Sequence, residues 1–120
     1  MWELKKTEPV KLLIGILAAD KHSLIFAVDA ITAQFGPADF ASDIWPFTQT
    51  TYYKEQSGEN ILRQFVTIEK LIDPGQLAQV KHQTNKIEQD IAAQLAEIAG
   101  VPRPINLDPG IIEPSKLVLA

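Results

Sequence analysis

Asp-Pro-Gly stands twice in this 120-residue chain, each time behind a run of β-forming residues. The first copy is Asp73-Pro74-Gly75, after Ile61 to Ile72. The second is Asp108-Pro109-Gly110, after Arg103 to Leu107. Asp bonds to N–H groups ahead of it, Pro presets a turn and Gly accepts positive φ. Each copy is therefore expected to end a strand, which fixes two of the places where the chain must change direction.

The other elements fall between these stops. Val10 to Leu17 is continuously apolar and reads as a covered strand. Asp20 to Ser23 supplies capping chemistry, and Leu24, Val28, Ile31 and Phe35 then mark one helical face, closed by Gly36-Pro37. Phe40 to Phe47 is a weaker strand. Pro46 would leave a ladder bond unmade there, which suits a sheet edge. Thr48 to Asn60 reads as a long connection containing Tyr52-Tyr53. Leu77, Val80, Thr84, Ile87, Ile91, Leu95 and Ile98 form the stripe of a second helix, which Gly100 and Pro102 end. Lys116 to Ala120 fits either a strand or a helix started at Ser115.

The order is strand, helix, strand, strand, helix, strand. It predicts a single α+β domain over residues 1–120 with the ferredoxin-like βαββαβ pattern. That is an antiparallel sheet with strand 1 central and both helices on one face. Strands 3 and 4 then run in the same direction on either side of strand 1. Asp73 and Asp108 are expected to share one sheet edge, roughly 10 Å apart across two strand spacings.

Composition excludes several functions. There is no cysteine, so disulfides, thiolate nucleophiles and Cys-based zinc sites are ruled out, and only His22 and His82 could serve as imidazole ligands. A net charge of −4 gives no general attraction to nucleic acid or an anionic membrane, and no run approaches membrane-spanning length. Lys5, Lys6 and Lys11 ahead of Leu12 to Ala19 imitate a secretion signal, but the same residues suit a central strand. The absence of cysteine fits a cytoplasmic protein. No phosphate loop, nucleophile elbow or metal-ligand spacing occurs, so catalytic residues and cofactors stay unknown and no metal site is assigned.

Polar residues gather at two places. Asn106 and Asp108 lie at a predicted strand end. Lys81, Asn85 and Glu88 form a stripe beside the apolar seam of the second helix. With Asp73 these six are the candidate ligand-binding residues. They suggest a small-ligand-binding or regulatory domain, self-associating through a sheet edge or the apolar segment Leu117 to Ala120. The alternative is an enzyme acting on a polar or phosphorylated metabolite, with carboxylates at the sheet edge.

Several runs carry a family resemblance: Lys11-Leu-Leu-Ile-Gly-Ile-Leu17, Thr51-Tyr52-Tyr53, Lys81 with Thr84-Asn85 and Glu88, Asn106-Leu-Asp-Pro-Gly110 and Ser115-Lys-Leu-Val-Leu-Ala120. Together they resemble the uncharacterised prokaryotic family known as domain of unknown function 4416. The resemblance covers almost the whole chain and implies no activity. Family members continue past this point, so it also implies that further strands of the family's fold lie beyond Ala120.

Overall fold

A computed structural model describes residues 8–47 and 60–113, together with the backbone of residues 116–119. The elements are β1 (Lys11–Ala18), α1 (Lys21–Phe35), β2 (Ala38–Ala41), β3 (Trp45–Pro46) and β4 (Leu62–Ile68). They continue with a 3-10 turn (Pro74–Gln76), α2 (Leu77–Ala99), β5 (Ile105–Glu113) and β6 (Lys116–Leu119). The fold is α+β. One sheet runs in the order β2-β4-β1-β5-β6, with β3 also paired to β4, and every pairing is antiparallel.

β1 alternates between two environments. Leu12, Ile14, Ile16 and Ala18 enter the main core with Val66 and Ile68 of β4 and Ile105 and Leu107 of β5. The same core takes Leu24, Ala27 and Ile31 from α1 and Val80, Ile87, Ile91 and Leu95 from α2. Both helices therefore cover one face of the sheet. Leu13, Gly15 and Leu17 fall on the opposite face by the two-residue period of a strand.

The helix boundaries follow local chemistry. The Asp20 side chain accepts the Ser23 N–H at 2.7 Å, and Gly36, at φ 101°, closes α1 by donating to the Thr32 carbonyl. α2 ends at Gly100 in the left-handed region, φ 74°. Its stripe is buried from Val80 to Leu95, but Leu77 is only half-buried and Ile98 is 76% exposed. The helical period runs on at both ends past the sheet that it covers.

Two expectations need correction and one open alternative is decided. The second strand is split into β2 and β3, interrupted at residues 42–44, where the Ser42 hydroxyl accepts the Phe65 N–H in place of a backbone partner. Pro46 does lie in a strand whose described partner is β4 alone. The second Asp-Pro-Gly does not end a strand, because β5 runs straight through it. The Leu107 N–H is bonded outside the sheet, by Glu88, so Leu107, Pro109 and Ile111 direct their nitrogens away from β1. Pro109 thus lacks its N–H on the outer side, just before β6 begins pairing at Gly110. Thirdly, Lys116–Leu119 is a strand, so the helical alternative is dropped. Tyr52 and Tyr53, with the connection that carries them, lie outside the described residues.

Candidate functional site

The first Asp-Pro-Gly makes the expected turn, but it does not end β4, which stops at Ile68 and leaves only an isolated bridge at Ile72 before the motif. Asp73 accepts the Gly75 N–H at 2.9 Å, and the Gln76 side chain accepts the Asp73 N–H at 3.0 Å. Together they form a capping box that starts the 3-10 turn ahead of α2. The neighbouring Ile72 bridges to Val10, just outside β1, whereas Asp108 pairs with Gly15 in the middle of β1. Five residues of strand separate those positions, about 17 Å at the usual rise. Asp73 and Asp108 therefore do not share an edge. The assumption that failed is that β5 stops at Leu107.

Three of the other predicted residues, Glu88, Asn106 and Asp108, meet at the N-terminal half of β5. The Glu88 carboxylate reaches from α2 to accept the Leu107 N–H at 2.6 Å. Arg103 lies 4.0 Å from Glu88 and donates to the Asn106 side-chain oxygen. The Asn106 amide donates to Asp108 at 3.2 Å. A continuous polar chain thus runs from helix to loop to strand. Asn106 is buried, while Arg103 and Asp108 are half-buried. Lys81 and Asn85, also half-buried, lie two turns and one turn before Glu88 on α2, and the positive charge of Lys81 acts on Glu88.

Burial is the largest influence on Glu88 and pushes its pKa above the ordinary value. The Leu107 N–H, Arg103 and Lys81 pull it down, and the Asp108 charge pushes it up again. A carboxylate set among opposing influences at a strand edge can accept or release a proton near a bound polar group.

Sequence reasoning missed Arg103, which connects Glu88 to Asn106. The available signal was its place between Pro102 and Pro104, three residues before Asn106. It also passed over Arg63. On the helix-free face, Arg63 stacks on Phe65 with 4.4 Å from guanidinium carbon to ring centroid, and Trp45 lies against Phe65 at 5.9 Å. On the same side of β4, the Thr67 hydroxyl donates to Asp39 at 2.5 Å, and Lys11 pairs with Asp39. His22 is an exposed residue whose ring lies tilted against Phe26 at 5.2 Å between centroids.

Two clefts lie elsewhere. One of about 380 Å3 runs between α1 and α2 and includes Phe26, Asp29 and Asp90. Another of about 230 Å3 is lined by Phe35, Ile72 and Gln83 among others. Neither includes any of the six predicted residues. Among the described residues no three His, Asp or Glu side chains are grouped to hold a metal ion. No helix there is long and apolar enough to cross a membrane.

An antiparallel α+β sheet with a polar chain on one strand defines a class of architecture, not an activity. The family follows from comparison: the model of the domain of unknown function DUF4416 matches residues 8–120, and the chain belongs to that family. No curated protein matches it.

Proposed function

We propose that this chain is a small-ligand-binding or regulatory domain whose site lies along β5, formed by Glu88, Arg103, Asn106 and Asp108 with Lys81 and Asn85 beside them. The observation that carries this reading is the hydrogen-bonded chain from Glu88 to Asp108. It concentrates two carboxylates, a guanidinium and an amide where, among the described residues, β5 has no outer strand partner. Sheet edges without a partner strand leave backbone groups open to bonding. Here Glu88 occupies one of them, and the side chains beyond it offer both charge signs to a polar ligand.

The scaffold proposed for this site is a ferredoxin-like βαββαβ core extended by β6. Its support is the position of β1 between β4 and β5, with both helices on one face. Self-association belongs to the same proposal. Among the described strands β6 pairs with β5 alone, and its other edge is the surface proposed to meet a second copy.

A thermal-shift screen of polar metabolites and divalent ions tests the binding reading, since a ligand of the folded state raises its stability by mass action. A hit whose shift is retained by Asp73→Ala but largely lost by Asp108→Asn supports the site. Binding unchanged by Asp108→Asn, in a folded variant, would remove it.

A further inference from the structure

Gly15 lies at the centre of the helix-free sheet face, paired with Phe65 on one side and Asp108 on the other. Residues paired directly across strands point to the same face, so Phe65, Asp108 and, two residues from Phe65, Arg63 all stand over this face. A Cβ at position 15 would sit 3.0 Å from the Phe65 ring and 3.1 Å from an Arg63 guanidinium nitrogen. Both side chains therefore lean inward over β1, toward Asp108, because residue 15 has no side chain to hold them off.

Among the described residues Arg63 is held by stacking and not by a charge. Its guanidinium lies 4.4 Å from the Phe65 centroid and 5.7 Å from that of Phe47. Among the described residues it has no ion pair and donates no side-chain hydrogen bond. Asp108 receives the Asn106 amide and likewise has no ion pair among the described residues. A cation and an anion thus flank β1 on one face without joining each other.

We propose that Arg63 and Asp108 together bind a small dipolar molecule across β1, an amino acid whose carboxylate meets Arg63 and whose ammonium group meets Asp108. This rests on the small-ligand reading of the β5 site and gives that ligand a chemical class. The guanidinium fork matches a carboxylate in two hydrogen bonds, and stacking on Phe65 leaves its donors free to make them. Asp108 lies one strand spacing from Gly15, about 5 Å, so the two charges are within reach of one small molecule. A simple anion would engage Arg63 but meet repulsion from Asp108. A simple amine would meet the reverse. Gly15 is the positioning residue that brings the guanidinium inward.

The test is a titration followed by backbone-amide NMR shifts. The probes are the common α-amino acids, each with its deaminated acid and its decarboxylated amine. The expected result is a saturable shift around Gly15 and Asp108 with at least one amino acid, its one-charge analogues binding at least about tenfold more weakly. Arg63→Met and Asp108→Asn should each lose about the same factor, and Arg63→Lys should lose less than Arg63→Met. Gly15→Ala should weaken binding with both charges retained. If Arg63→Met does not fold, the Arg63→Lys and Gly15→Ala variants carry the comparison. One-charge analogues that bind equally well, or unchanged binding in the Arg63 variants, would overturn the inference. If other metabolites bind through Asp108 while amino acids do not, the inference falls and the small-ligand reading stands. If no metabolite binds, both fall.

Discussion

The carboxylate of Glu88 accepts the backbone N–H of Leu107 at 2.6 Å, joining α2 to the outer edge of β5 across 19 residues of sequence. A side chain here does the work of a neighbouring strand, since among the described residues β6 pairs with β5 from Gly110 onward. Glu88→Ala should leave that N–H without its partner and cost about 1–3 kcal/mol in urea unfolding. Glu88→Gln keeps an acceptor oxygen and should cost less. Equal losses would show that the ion pair with Arg103, and not the edge bond, holds α2 to β5.

Glu88 also sets a pH dependence. Its folded pKa lies above the ordinary 4.5, with burial as the first cause. The folded state therefore binds more protons than the unfolded state in this window, and stability falls as pH rises through it. Glu88→Gln does not ionise, so its stability relative to the wild type should improve as pH rises from about 4 through the carboxylate range. Asp39 acts in the opposite sense. Its bond from Lys11, then that from Thr67, lowers its pKa below 3.8, so its contribution is present above that value and lost as pH falls. Denaturation midpoints of wild type and Glu88→Gln across this range check the sign, and a deficit of the variant that grows with rising pH would contradict it.

The α2 seam should show a sharp contrast in stability. Ile91 is 4% exposed and Ile98 is 76% exposed, although both belong to one helical stripe. Ile91→Ala should cost about 2–5 kcal/mol. Ile98→Ala should fall within about 0.5 kcal/mol of the wild type. Urea midpoints that move alike would mean that the seam is not packed on the sheet.

The two Asp-Pro-Gly copies should separate stability from binding. Asp73→Ala removes a capping acceptor and should cost about 0.5–2 kcal/mol. Because Asp73 lies away from the β5 cluster, it should leave ligand affinity untouched. A matched loss of affinity would bring Asp73 back into the site.

These copies also show how far the sequence could be read. Asp73-Pro-Gly is a local motif, closed by Gln76 three residues on, and the spacing alone disclosed the turn. The fate of Asp108-Pro-Gly depends on which side of the strand the Pro109 nitrogen faces, and that is settled only when β5 docks against β1. Burial of the α2 stripe was legible from its period at Val80 to Leu95. Its exposed ends were not, because a period carries no information about where the sheet stops. The candidate residues at Lys81, Asn85, Glu88, Asn106 and Asp108 emerged from their types and spacing. Arg103 and Arg63 did not, since their roles arise from partners on other elements.

The central claim is best tested by locating a bound molecule. A crystal structure of the chain with a thermal-shift hit should place that molecule against Asp108, within reach of Arg103 or Arg63. A molecule seated in the α1–α2 cleft beside Phe26, or at the Asp73 turn, with the β5 face empty, would contradict the claim.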